Sequence, residues 1–328
     1  MTSGEEGSER SGRREGRATS AQRADDRARP RGRGEEGSER SGRREGRATS
    51  AQRADDRARP RGAAALPPRQ LITSLYGLYA RDEHDWLSVA SLVRLMAELD
   101  VDAAAVRSSV SRLKKRSMLQ SVRRDGRAGY ALSEQTVELL REGDVRIFER
   151  PRATADDGWL VVVFSVPESE RAKRHSLRTL LGRLGFGSVA PGVWIAPGPL
   201  YDEALHALER MDLSAYTEFF RGDYLGVGAA TGRVREWWDL DTVDALYREF
   251  IALYASARDA PDADPGDAFR TYVPLLTRWR RLPYLDPGLP LAYLPDDWSG
   301  IRAGELFAEL DKRMRPAADR HAHALLRE

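Results

Sequence analysis

No apolar pattern runs through the first 65 residues, and beyond them apolar positions recur with a clear period. Pro67-Pro68 opens a stretch, Arg69–Ala80, in which Leu71, Ile72, Leu75 and Leu78 fall on one side of a helix. Ser88 is placed to cap a second helix, Val89–Glu98, and the turn Leu99-Asp100-Val101 leads to another cap, Asp102. From Asp102 to Met118 the apolar residues Val106, Val110 and Leu113 form one narrow seam. Leu119–Arg123 reads as a strand, Arg124-Asp125-Gly126-Arg127 as a tight turn, and Tyr130–Leu132 as the returning strand. Ser133 begins a fourth helix that reaches about Glu142.

Beyond residue 150 the period changes. Trp159–Val166 (WLVVVFSV) is an almost unbroken apolar run, too rich in β-branched residues to prefer a helix. An amphipathic helix, Glu168–Leu184, follows and ends at Gly185. Val193-Trp194-Ile195 is a short strand, Tyr201–Met211 a second helix and Tyr216–Arg221 a further strand. This order fits a β-α-β-β-α-β, ferredoxin-like sandwich. From Trp237 the spacing is helical again, over Val243–Ala257, Ala268–Trp279 and Gly304–Arg313. The Pro-rich connection Leu282–Trp298 is apolar and aromatic enough to be ordered. The expected class is α+β, divided at 66–150, 151–232 and 233–328.

Residues 4–32 recur unchanged at 34–62, and the repeat holds no Leu, Ile, Val or aromatic side chain. A repeat without an apolar face cannot stack, and burial cannot offset the entropy of ordering it, so the segment 1–65 is expected to be disordered. Both copies with Arg33 carry seventeen basic and twelve acidic residues, a net +5 that would add weak, non-specific attraction to DNA. The plainer account is a duplication, or an upstream start, with no role of its own. With no cysteine in 328 residues there is no disulfide framework and no thiolate zinc site. No apolar run approaches ~18 residues, and the N-terminus lacks the apolar segment of a secretory signal. A soluble, cytoplasmic protein without a membrane partner is expected.

Net charge is only +2, yet Arg107–Arg127 holds eight Arg or Lys against one acid, Asp125. Opposite the apolar seam of the third helix stand Ser108, Ser111 and Lys115, flanked by Arg107, Arg112 and Lys114. Such a field attracts a phosphate backbone. Three helices, a basic hairpin and a fourth helix follow the order of a winged helix-turn-helix. Its third helix enters the major groove of double-stranded DNA and its hairpin tip reaches flanking phosphates. Arg107, Ser108, Ser111 and Arg112, in the first half of that helix, are expected to meet base edges, with Lys114 and Lys115 beside them. Arg123, Arg124 and Arg127 are expected on phosphate.

Three stretches taken together, AAVRSSVSRLKKRSML, WLVVVFSVPESERAKRHSLRTLLGRLGFGSVAPGVWIAP and LTRWRRLPYLDPGLPLAYLPDDWSG, resemble the PaaX family of bacterial transcriptional repressors. The resemblance extends from about Pro68 to Leu326. It implies an N-terminal winged helix, a central domain similar to Cas2 and a helical C-terminal domain. It further implies a homodimer that holds an operator until an acyl-CoA effector, such as phenylacetyl-CoA, releases it, with no other cofactor. The family's recognition helix falls on Asp102–Arg116 and its wing on Val122–Tyr130. Ser117 stands where relatives commonly have glycine. Nuclease relatives of the central domain carry a metal-binding Asp at the end of the first strand. The matching segment here, Phe164-Ser165-Val166-Pro167, has no carboxylate, which points away from an enzyme.

A CoA thioester needs cations for its phosphates and an apolar or aromatic slot for its acyl group. Arg278, Arg280 and Arg281 around Trp279, followed by Tyr284, supply both and are the expected effector-binding residues. Arg171, Lys173, Arg174 and Arg178 on the central helix are a second basic cluster. The bland alternative for each is a solvated face, with Trp279 and Tyr284 as domain packing. His321 and His323, two apart, point to different sides of a helix and make a poor metal site. Gly226–Gly232 resembles a dinucleotide loop only superficially, its last spacing one residue too long, and is expected as a turn. No Ser, His and Asp stand in a nucleophile context. The rival classes, a metal-dependent nuclease and an acyl-CoA-processing enzyme, therefore lack their residues in evident place.

Overall fold

Side-chain caps and one glycine contact fix the N-terminal region of the computed structural model, which describes residues 65–149, 151–226, 230–259 and 264–328. The duplicated segment lies outside the described residues up to position 64. Helix α1 (Pro68–Leu75) carries a proline in its first turn, where the missing N–H is harmless, and continues as a π-helical turn, Tyr76–Ala80. Strand β1 (Trp86–Ser88) follows. The Ser88 hydroxyl accepts from the Ser91 N–H at 2.9 Å and starts α2 (Val89–Ala97). Asp102 starts α3 (Ala103–Lys115), accepting from the N–H groups of Ala104 at 2.8 Å and Ala105 at 2.9 Å.

Strands β2 (Leu119–Arg124) and β3 (Arg127–Leu132) form an antiparallel hairpin, and β1 pairs with β3 on its other side. The turn residues Asp125 and Gly126 have φ of 48° and 75°. Two positive angles define a type I′ turn, whose twist matches that of the strands. A Cβ on Gly129 would lie 2.4 Å from the Trp86 indole, so glycine admits the ring against β3. The same indole donates to the Val122 carbonyl at 3.2 Å. Helix α4 (Glu134–Asp144), capped by Ser133, ends in a second π-helical turn, Val145–Glu149.

The central region contains β4 (Trp159–Phe164), α5 (Arg171–Arg183), β5 (Gly187–Ala190), β6 (Val193–Pro197), α6 (Tyr201–Glu209) and β7 (Thr217–Gly222). All pairings are antiparallel and the order is β5-β6-β4-β7, the arrangement of a ferredoxin-like sandwich. Alternate residues of β4, Leu160, Val162 and Phe164, share a core with Leu177 and Leu181 of α5 and with Leu208 of α6. Trp159 faces the other way and stacks on Trp238, ring centres 6.2 Å apart.

Helices α7 (Ala230–Trp237), α8 (Leu240–Arg258), α9 (Pro265–Trp279), the short α10 (Leu282–Leu285) and α11 (Ser299–Arg327) complete the chain. Part of the Gly226–Gly232 stretch, 227–229, lies outside the described residues, and the rest leads into α7. The last helix runs well beyond the expected Gly304–Arg313, passing through Pro316, which is exposed. The hydrogen bond lost at that proline is compensated by packing along α8 and α9.

A single apolar core joins α1–α3 to α8, α9 and α11. Thr277 donates to Ser74 at 2.7 Å across α9 and α1, and Arg94 of α2 donates to the Leu325 carbonyl near the end of α11 at 2.9 Å. Among the described residues no helix is long and apolar enough to cross a membrane.

Candidate nucleic-acid interface

Val106, Ser109, Val110 and Leu113 bury one side of α3. Arg107, Ser108, Ser111, Arg112, Lys114, Lys115 and Arg116 are all exposed on the remainder. Residues four apart align on a helix, so Arg107, Ser111 and Lys115 stand beside Ser108 and Arg112. No ion pair engages these cations among the described residues. Lys114 leans toward the hairpin, its Nζ 5.9 Å from the centre of the Tyr130 ring. Hydrogen bonds from the Ala105 and Ala104 N–H groups hold the Asp102 carboxyl below the usual carboxylate range.

Arg123 and Arg127 are exposed near the hairpin tip, Arg123 donating to the Gly126 carbonyl at 3.3 Å. Arg124 behaves differently. Its guanidinium turns back to donate to the His84 carbonyl at 3.0 Å and stands 5.7 Å from the centre of Trp86. The exit of α3 is a Schellman motif: the Met118 N–H reaches the Leu113 carbonyl at 3.0 Å and the Ser117 N–H that of Lys114 at 2.9 Å. Ser117 consequently has φ of 57°, a left-handed position that glycine usually fills.

A cleft of about 990 Å³ includes Arg116 of this face in its lining. Its walls come from α1, the exit of α3, α4 with its π-helical turn, and the α9–α10 junction. Seven arginines line it against three acids, and Leu139, Phe148 and Leu285 are partly exposed within it. Arg280, Arg281 and Tyr284 belong to this lining, whereas Arg278 and Trp279 do not. Trp279 is core: it stacks on Phe307 with ring centres 4.5 Å apart and donates to the Ile147 carbonyl at 3.1 Å. Arg280 donates to the Gln70 carbonyl at 3.2 Å, and burial pushes its guanidinium below the ordinary arginine value. Arg280 Nε and Gln70 Oε1 are buried with no hydrogen-bond partner among the described residues. Burial raises the pKa of Tyr284.

Sequence reasoning missed Arg146. Its side chain is 2% exposed and donates Nε to the Pro283 carbonyl at 3.0 Å, Nη1 to Glu203 at 2.6 Å and Nη2 to the Leu184 carbonyl at 2.8 Å. The guanidinium also lies 4.7 Å from the centre of Tyr284. One side chain thus joins the end of α4, both central helices and α10. Its only signal in the sequence is a lone cation between Val145 and Ile147. His321 lies 3.3 Å from Glu98, and His323 Nδ1 is 2.7 Å from the Asp319 carbonyl. Among the described residues no group of three or more His, Cys, Asp or Glu could hold a metal.

The exposed cations of α3, which make no ion pair among the described residues, and the basic hairpin beside them stand on an α+β scaffold, a surface that attracts a phosphate backbone. Three family models match the chain in succession: PaaX-like protein at residues 67–136, PaaX protein central Cas2-like domain at 152–234, and PaaX-like protein C-terminal domain at 238–324. Transcriptional repressor PaaX of Escherichia coli (strain K12) is 30% identical over 261 residues, covering 76% of this chain and 80% of that one. The chain belongs to the PaaX family of transcriptional repressors. Among solved structures, the uncharacterized protein Rv0674 from Mycobacterium tuberculosis shares the fold. Its TM-score is 0.50 at 21% identity, over 76% of this chain and 96% of that one.

Proposed function

We propose that the chain represses transcription in the cytoplasm by binding operator DNA as a homodimer. Residues 66–150 act as a winged helix-turn-helix, 151–232 as the Cas2-like domain and 233–328 as a helical C-terminal domain. The observation that carries this reading is the α3 face, whose cations are exposed and make no ion pair among the described residues. A phosphate backbone supplies the missing anions. Arg107, Ser108, Ser111 and Arg112 reach base edges, while Lys114, Lys115, Arg123 and Arg127 hold the backbone. Arg124, bonded to the loop before β1, braces the hairpin. The name of the Escherichia coli relative supports repression rather than catalysis, and the end of β4, Phe164–Pro167, offers no carboxylate to a metal.

The cleft is the proposed effector site, with an acyl-CoA such as phenylacetyl-CoA as its ligand. Its volume of about 990 Å³ is at the upper end for small-molecule sites, roughly 300–1,000 Å³. Arg280 and Arg281 take the phosphates, and Leu139, Phe148 and Tyr284 flank the acyl group. Arg278 and Trp279 support that wall from behind. Arg116 and Met118, at the exit of α3, form another wall. A ligand that prefers a different setting of α3 lowers operator affinity by its differential affinity for the two states.

The deciding experiment is fluorescence anisotropy on DNA from the protein's own upstream promoter against a scrambled duplex, with and without phenylacetyl-CoA. Selective binding relieved by the thioester and not by free CoA is expected. Selective binding that ignores the thioester removes the effector assignment and keeps the regulator. Absence of selectivity on that promoter counts against the DNA-binding reading.

A further inference from the structure

We infer that the exposed side of α5 is a second DNA-contacting surface, which takes the phosphate backbone flanking the segment read by α3. This rests on the DNA-binding function proposed above. Helix α5 carries five Arg or Lys and no acid over its 13 residues. Two of the five are engaged within the protein: Lys173 pairs with Glu170 at 2.9 Å and Arg174 with Glu168 at 3.2 Å. The other three, Arg171, Arg178 and Arg183, are exposed and have no ion pair among the described residues. With exposed His175 they spread over the solvent-facing arc of the helix, Arg171, His175 and Arg178 close together and Arg183 further round, while Leu177 and Leu181 pack into the central core.

Position along the fold links this stripe to the reading face. Arg183, at the C-terminal end of α5, lines the same cleft as Arg116, the last cation of the α3 face. At about 1.5 Å per residue, the helix extends roughly 20 Å from that point, or about six base pairs of duplex.

Folding alone does not account for the stripe. Arg183 complements the partial negative charge at a helix C-terminus, but Arg171 stands in the first turn, where a cation opposes the helix dipole. The contrast is with three arginines of the C-terminal helices. Arg248, Arg258 and Arg270 each sit on a carboxylate. Three cations with no ion pair among the described residues, on one 13-residue helix of a chain of net charge +2, make a local field that attracts a polyanion.

The test compares the full chain with an Arg171→Ala/Arg178→Ala/Arg183→Ala variant on two duplexes. One is a long promoter duplex and the other is trimmed to the segment that α3 and the hairpin protect. On the long duplex, the slope of log affinity against log salt falls by about 2.7 per bound protomer, at 0.9 for each lost phosphate contact. The deficit of the variant relative to wild type therefore grows about 40-fold between 200 and 50 mM salt. On the trimmed duplex the two proteins bind alike. The corresponding triple lysine variant keeps the wild-type slope, which separates charge from any change in folding.

A wild-type slope for the alanine variant on both duplexes overturns the second surface and leaves α3 as the reader. Equal losses on both duplexes also overturn it, because a diffuse field does not distinguish flanks. Wild-type DNA binding with a lost response to phenylacetyl-CoA transfers the stripe to the effector and overturns it as well. If the wild-type chain itself shows no selectivity, the DNA-binding reading fails first and the second surface with it.

Discussion

Arg112 and Arg146 are the same residue type in opposite settings. Arg112 stands exposed on α3 with no ion pair among the described residues, while Arg146 is buried and each edge of its guanidinium meets an oxygen of a different segment. The first has a charge that the fold does not use. The second has a charge that the fold cannot lose without leaving acceptors stranded. Arg280 lies between the two, one nitrogen bonded to Gln70 and another buried beside the cleft with no hydrogen-bond partner among the described residues. The degree of internal satisfaction of an arginine thus separates side chains left open to a partner from side chains that hold the chain together. Net charge conceals this distinction entirely.

The largest effect is expected from Arg146→Ala. It removes the donors to Glu203 and to the carbonyls of Pro283 and Leu184 at once, a loss of about 3 kcal/mol from unfolding stability. Urea denaturation measures it. Arg146→Lys recovers only part, because an ammonium cannot reproduce three directions fixed in one plane. The folded fraction of either variant keeps wild-type operator discrimination. A loss below about 1 kcal/mol would mean that apolar packing alone joins these segments, and the contrast with Arg112 would collapse.

Arg112→Ala should do the converse. Stability stays within about 0.5 kcal/mol of wild type, as for an exposed residue without partners. Discrimination between operator and scrambled DNA falls by about 1–3 kcal/mol if the guanidinium reads a guanine through two hydrogen bonds. Competition anisotropy at fixed salt resolves this. A uniform loss on all duplexes would instead place Arg112 on phosphate and move the base contacts toward Arg107.

Much of this contrast is legible in the sequence, and the exceptions share one cause. The seam Val106, Val110, Leu113 and the cap Asp102 announce α3 because both signals are local. The run WLVVVF announces β4 in the same way. Strand β1 has three residues and exists because it pairs with β3, so its own sequence carries no period. Strand β5 is short and mostly exposed, held at the sheet edge by β6. The cleft draws on segments from Arg69 to Arg315, and no local pattern reports such a meeting. The expected effector residues divide for the same reason: Arg280, Arg281 and Tyr284 line the cleft, while Arg278 and Trp279 do not. Arg124 carries the same local signal as Arg123 and Arg127, and its bond to the 83–84 backbone forms only in the fold.

The smallest effect sharpens the comparison at the seam between reading face and scaffold. Ser117 holds a left-handed conformation, φ of 57°, so that Met118 and Ser117 can close the Schellman motif after Arg116. For a residue with a Cβ that conformation costs about 1 kcal/mol or more. Ser117→Gly removes the cost but gives the unfolded chain extra freedom worth about 0.4–1 kcal/mol, so the net gain is a few tenths of a kcal/mol. Thermal unfolding should rise by about 1 °C, and operator affinity should not change. Affinity that falls while stability rises would show that the serine stiffens the exit of α3. The wall shared by α3 and the cleft would then be a working part of recognition, and the division between arginines that read and arginines that hold would run through this turn.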